Sequence, residues 1–285
     1  MSDASCGALS AFGVDQTGGS TPRANSTAAR TGIIHETGTH DFMFPLSCSP
    51  HEREFYRRAG IFDRIGRRRI GSSGLPERGL TMIYLDYNAS TPVAPEVLEA
   101  MTPYLTRFFG NPSSSHEPGK RLREAIEAAR ARVAALIGAQ PEEILFTSGA
   151  TESNNQVILS IAHRHGKEKG HVITSAVEHP AILNPCRHLE SLGFEVSYVE
   201  VDRHGRVDPQ SVAGEVRPTT RLISIMHSNN EVGTLQPIGE IAEIAREGGI
   251  PMHTDAAQSC GKVPIDVRRL GVDFLSIAGH KMYAP

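Results

Sequence analysis

Between residues 119 and 136 the apolar side chains Leu122, Ile126, Ala129, Val133 and Leu136 recur at helical spacing and form one stripe. The pattern predicts a helix there, stopped by Gly138. A second amphipathic helix is predicted over 95–108, opened by Pro95. Past residue 140 the period changes. Short apolar runs at 144–146, 171–175, 194–201, 222–226, 251–253 and 272–277 read as buried strands. The stretches 152–163, 181–192 and 238–246 between them read as helices. Strands alternating with helices argue for an α/β fold with a mostly parallel central sheet and helices on both faces. One more short strand is expected at 83–85, ahead of the first helix.

Residues 1–81 break this pattern. They contain no Lys, crowd Gly, Ser and Thr at the start, and carry dense Arg from Arg53 to Arg69. No helical or strand period holds, so a disordered leader is expected. A transit peptide fits the Arg and Ser content, but Glu52, Glu54 and Asp63 speak against it. A gene-model extension ahead of a true start at Met82 stands beside these readings. Residues 82–285 then form the ordered part. The formal charge of −3 gives no electrostatic case for nucleic acid or an anionic membrane, and no apolar run reaches the length of a membrane span. Cys6, Cys48, Cys186 and Cys260 are scattered with no metal-ligand spacing. A reducing, cytoplasmic location is expected, with no metal.

The candidate chemistry lies where predicted strands end. Asp255 follows the run at 251–253 and Lys281 follows the run at 272–277. In an open α/β sheet, ligands sit outside the carboxyl ends of the strands, so both side chains can face one crevice. An acid paired with an amine suits pyridoxal phosphate (PLP), where Lys bonds the cofactor and Asp holds the pyridinium nitrogen protonated. On spacing alone, a surface Lys and a helix-capping Asp are the plain alternative. Thr147-Ser148-Gly149-Ala150-Thr151-Glu152 joins a predicted strand to a helix and makes a plausible phosphate cradle. As an isolated motif it is more simply a capping box. His179 in Val177-Glu178-His179-Pro180 could lie over a flat cofactor and move protons, and Asn229-Asn230-Glu231 could bind a ring oxygen or carboxylate. A His before Pro is more often a structural turn residue, and turn chemistry explains the Asn pair equally well. Gln258 is expected to share a helical start with Asp255. Five such sites at five predicted strand ends favour the functional reading together.

On these residues the chain resembles the NifS/IscS-type cysteine desulfurases, in the class V aminotransferase group of PLP enzymes. The match runs through Asp86-Tyr87-Asn88-Ala89-Ser90-Thr91-Pro92, Gly110-Asn111-Pro112, Thr147 to Asn155, Val177-Glu178-His179, Asn229-Asn230-Glu231-Val232-Gly233, His253 to Ser259 and Gly279-His280-Lys281. The resemblance implies the large domain of PLP-dependent transferase fold type I. It implies Lys281 as the Schiff-base lysine, Asp255 on the pyridinium nitrogen and Gln258 on the phenolic oxygen. His179 would stack on the ring and move protons. Ala150, Thr151 and His280 would hold the phosphate, and Asn230 would orient cofactor or substrate. The implied reaction takes sulfur from L-cysteine, leaving alanine and an enzyme persulfide that is passed to a sulfur acceptor or scaffold protein. A homodimer is implied for the full-length enzyme. Ala278 stands where many members have a phosphate-binding Ser, and Ala284 where a Gly is common. Members continue beyond the equivalent of Pro285 with the rest of the large domain and a smaller carboxyl-terminal domain, and those parts carry the persulfide cysteine. The chain is therefore expected to be an incomplete large domain, inactive alone. A selenocysteine lyase and a non-catalytic fragment are the rival expectations.

Overall fold

The structure, a computed structural model, describes residues 83–285 apart from Lys167 and the side chain of Ala162. The leader expected over 1–81, with Cys6 and Cys48, lies outside the described residues. Seven α-helices are described: α1 Pro95–Thr106, α2 Glu117–Ile137, α3 Ala150–His165, α4 Pro180–Ser191, α5 Pro209–Glu215, α6 Ile238–Glu247 and α7 Val267–Leu270. Five strands, β1 His171–Ser175, β2 Glu195–Val199, β3 Thr220–Ser224, β4 Met252–Asp255 and β5 Phe274–Ser276, form one parallel sheet in the order β2-β1-β3-β4-β5. The chain steps from β1 outward to β2, then returns across β1 to lay down β3, β4 and β5. The reversal falls between β1 and β3, where open α/β sheets place their ligand crevice.

Alternation along the strands explains the two helical layers. Val172 and Leu222, paired across β1 and β3, pack with Ile158 and Ile161 of α3 and Ile182, Cys186 and Leu189 of α4. Their neighbours Ile173 and Ile223 point the other way, onto Val212 of α5 and Ile238, Ile241 and Ala245 of α6. Both faces are thus apolar, which is why the strand runs read as continuous rather than alternating. Helix α4 shows the local logic. His179 caps it, Pro180 pre-sets its first turn, and Ile182, Cys186 and Leu189 at i, i+4 and i+7 supply the buried stripe. Helix α2 ends where predicted because Gly138 adopts a left-handed φ of 72° and its N–H caps Ala134 O.

Two buried imidazoles cross-link the strands. His171 joins Thr220 and Ser197, both at 2.9 Å, across β3 and β2. His253 joins Ser224 at 2.8 Å and Ser276 at 3.1 Å, across β3 and β5. Burial pushes the His253 imidazole down to about 4, against the opposing pull of Asp255. It is neutral at physiological pH, and a neutral imidazole can donate at one nitrogen and accept at the other.

Several expectations are corrected. Residues 83–85 form no strand; Ile83 and Leu85 are 70% and 73% exposed, and extended chain without a partner is not sheet. Residues 144–146 are also outside the sheet, because the Ile144 carbonyl accepts from the Arg130 guanidinium instead of a neighbouring strand. Gln258 lies in a run of turns rather than at a helix start. Helix α5 was not expected; its sequence has Val212 as its single buried position, too little for a period to show.

Candidate active site

Asp255 ends β4 and is 6% exposed. Its Oδ2 accepts from Asn154 Nδ2 at 2.6 Å and its Oδ1 from the Ala257 N–H at 2.9 Å. Asn154 lies four residues into α3 from Ala150, so one face of that helix both opens the site and anchors the acid. Lys281 ends the short 3-10 turn Gly279–Lys281 beyond β5 and is half-buried. Desolvation lowers its ammonium pKa; Asp255 opposes that fall and Lys262 adds to it.

Three alanines bring the pieces together. Ala150 at the start of α3, Ala257 after β4 and Ala278 after β5 form one buried cluster. Small side chains there let a helix N-terminus and two strand ends meet closely. The first N–H groups of α3, at Ala150, Thr151 and Glu152, have no partner within the helix. A Cβ placed on Gly149 would meet nothing within 4 Å, so space is open at that end. Uncommitted N–H groups, the helix dipole and open space suit an anion. The capping alternative is present as well: the Glu152 carboxylate accepts from Ser148 N at 2.6 Å, and Ser148 holds its pKa below the usual range. It engages the residue before Gly149 and leaves the helix's own first amides unengaged.

The segment ahead of α1 is tied to the turn that carries Lys281. Thr91 donates from both N–H and Oγ1 to the His280 carbonyl, each at 2.9 Å. Tyr283 N–H donates to Thr91 Oγ1 at 2.9 Å, and Ala94 N–H to the Tyr283 carbonyl at 2.9 Å. These bonds fix the turn that carries Lys281. Gln258 donates from Nε2 to the Asn88 carbonyl at 2.8 Å and accepts from Lys262 Nζ at 3.1 Å.

Along the sheet, β1 and β3 send their own residues to the same edge. His179 is half-buried and accepts from the Ala181 N–H through Nδ1 at 3.1 Å, which fixes its ring at the head of α4. Asn229, rather than Asn230, organises the loop after β3: it donates to the Val177 carbonyl and accepts from Glu231 and Val232 N–H. Asn230 donates to Glu231 at 2.9 Å. Asp255, Lys281, Ala150 and Thr151 thus converge around the alanine cluster. His280 is placed there through its main chain, Gln258 reaches the amino-terminal segment, and His179 and Asn230 line the β1 and β3 ends.

Sequence reasoning missed Asn154 and Glu178. Glu178 is the single Asp, Glu, Lys or Arg between Lys169 and Arg187. It is 1% exposed and accepts through Oε1 from Ser175 Oγ at 2.7 Å and Met226 N–H at 2.8 Å. A lone acid in an apolar stretch was the available signal. Asn154 offered its spacing from Ala150.

The fold and the convergence define an α/β protein with a carboxyl-edge crevice that pairs a buried acid with a depressed lysine beside an anion-ready helix end. Residues 83–285 match the family model described as aminotransferase class-V. The chain belongs to that family. It is 54% identical over 203 residues to a cysteine desulfurase IscS of Dictyoglomus turgidum, covering 71% of this chain and 52% of the relative. A mitochondrial cysteine desulfurase of Drosophila melanogaster is 50% identical, covering 71% and 44% respectively. Among solved structures, SspA in complex with cysteine superposes with a TM-score of 0.70 at 50% identity, covering 71% of this chain and 58% of that one. A NifS-like protein gives 0.70 at 39% identity, covering 72% and 57%. The resemblance to NifS/IscS-type enzymes and the fold type I architecture are borne out. The chain spans about half the length of the curated relatives it matches.

Proposed function

We propose that this chain is the cofactor-binding part of a cysteine desulfurase that uses pyridoxal phosphate to move sulfur from L-cysteine to an enzyme thiol, leaving L-alanine. The observation that carries this reading is the convergence of Asp255, Lys281 and the α3 N-terminus around Ala150, Ala257 and Ala278. When bound, PLP supplies an electron-withdrawing ring that stabilises negative charge at the α-carbon of an amino acid. The residues fit that group. Asp255, held by Asn154 and the Ala257 amide, would keep the ring nitrogen protonated. The N–H groups of Ala150 and Thr151 would take the phosphate, with His280 beside it. Lys281, whose pKa burial lowers, would be the amine that holds the cofactor. His179, fixed at the α4 cap, would lie on the ring and carry protons. Gln258 would leave Asn88 or Lys262 to reach the phenolic oxygen, and Asn230 would orient the substrate.

The net exchange balances: the C–S bond of cysteine breaks, its sulfur joins an enzyme thiol as a persulfide, and the β-carbon takes a proton. Neither described thiol suits the acceptor role. Burial, with Glu178 and Glu190, pushes Cys186 up to about 12, and burial raises Cys260. The attacking form is the thiolate. The persulfide is therefore assigned to another cysteine, and a sulfur acceptor protein, a homodimer and a reducing compartment belong to the same proposal. The test is PLP titration followed by borohydride trapping. An absorbance near ~400 nm and a trapped adduct on Lys281, both lost in Lys281→Ala, are expected. An adduct that persists on another lysine would overturn the assignment.

A further inference from the structure

Glu178 is the buried acid that this chemistry leaves unused. It follows β1 by three residues, and its Oε1 takes hydrogen bonds from Ser175 on β1 and from the Met226 amide just past β3. That is the point where the strand order reverses. Its other oxygen, Oε2, is buried with no partner, which suits a site for the proton of a carboxylic acid rather than half of a carboxylate. We propose that Glu178 is a positioning residue: a neutral carboxylic acid that clamps the carboxyl ends of β1 and β3 and so fixes His179 and the Asn229 loop against the cofactor site. His179 is its neighbour in the chain, and the same two segments are joined again by Asn229 donating to the Val177 carbonyl. Ionising Glu178 would bury a charge whose second oxygen has no donor, beside Asp255 on β4.

Burial outweighs the other influences on it. Burial raises its pKa to about 8 and the Asp255 charge adds to the rise, while the Ser175 and Met226 hydrogen bonds oppose it. From α4, Cys186 is a neutral thiol at that pH. His227, beyond β3, has its own basicity lowered by burial and carries no compensating charge at neutral pH. The sign follows. An unfolded chain releases this proton near 4.5, the folded chain holds it to about 8, so the folded state loses stability as pH rises between those values.

The inference rests on the cofactor reading for its consequence but not for its test. Thermal unfolding of the chain without PLP is measured across pH 4.5 to about 8 for wild type and Glu178→Gln. The amide keeps an acceptor oxygen and cannot ionise. Glu178→Gln should match or exceed wild type in unfolding midpoint at neutral pH, and its midpoint should fall less as pH rises. In a second arm, PLP affinity is read by absorbance. Glu178→Gln should bind as wild type does at neutral pH, and Glu178→Ala, which removes the clamp, should bind at least about tenfold more weakly, as when a residue that orients the ligand's holders is lost. Parallel pH profiles for wild type and Glu178→Gln would overturn the neutral acid. Unchanged affinity in Glu178→Ala would overturn the clamp. If Glu178→Ala does not fold, Glu178→Gln must still separate from wild type in the first arm, or the proposal fails. A chain that binds no PLP in any form, with the first arm intact, removes the cofactor reading alone.

Discussion

Asp255 owes its orientation to one side-chain amide and one backbone amide. Asn154 donates to Oδ2 at 2.6 Å from inside α3, and its own Oδ1 is buried without a partner. Asn154→Ala should leave a buried carboxylate oxygen short of a donor and destabilise the chain by about 1–3 kcal/mol. Denaturant unfolding checks this, and a loss indistinguishable from zero would mean Asp255 is held by the Ala257 amide alone. His253 makes a second residue-scale case. Its ordinary pKa of 6.5 falls to about 4 on folding, because burial between Ser224 and Ser276 disfavours the cation. The unfolded chain takes up that proton first, so stability is present above 6.5 and is lost as pH falls towards about 4. Measured in Glu178→Gln, where the opposing titration of Glu178 is removed, the unfolding midpoint should drop through this window on acidification; a flat profile there would contradict a neutral buried imidazole. Burial is the larger cause of the lowered Lys281 pKa, and the Lys262 charge adds to it. Lys262→Met should raise the pH at which borohydride trapping on Lys281 reaches half its maximum, and an unmoved midpoint would assign the depression to burial alone.

Helix α4 is the element that most directly ties packing to the site, because the residue that caps it is His179. Its stripe of Ile182, Cys186 and Leu189 lies on Val172 and Leu222 of the sheet. Leu189→Ala should cost about 2–5 kcal/mol and loosen the His179 cap with it. The measurement is unfolding free energy together with PLP affinity, both expected to fall. This helix was legible in the sequence because its period, cap and Pro all agree. The same holds for α2, α6 and the strands β1 to β5, each flanked by clear turn residues. The runs at 83–85 and 144–146 were misread because apolar composition alone does not show whether a neighbouring strand exists. At 144–146 the deciding contact is Arg130, which lies fourteen residues away on α2. Asp255, Lys281 and the Gly149 helix start could be found because strand ends can be found. Asn154 and Glu178 act through partners 101 and 48 positions away, and such pairings leave little trace in a local pattern.

At the scale of the whole molecule the apolar surface is uneven. Among the described residues α1 has none buried, and Leu98, Leu105 and Phe109 are 56%, 72% and 79% exposed. Exposed apolar side chains at this density suit a surface that is covered in an assembly, in keeping with the proposed homodimer. The segment ahead of α1 is thus attached less by packing than by the bonds from Thr91, Ala94 and Tyr283, and the bond from Thr91 to His280 spans 189 positions. This suture gives the protein two rhythms of opening. Amide protons of β1, β3 and β4, locked between two apolar layers, should exchange with deuterium only through global unfolding, whereas those of Thr91, Ala94 and Tyr283 should exchange early and as a group. Thr91→Val, which deletes the hydroxyl at the centre of the suture, should hasten exchange at Tyr283 and leave the strands unaffected. Exchange at these three amides as slow as in β1 would show the suture to be part of the core. If they open first, the turn bearing Lys281 is released while the sheet stays shut, and the lysine gains a way to meet solvent that does not require the fold to come apart.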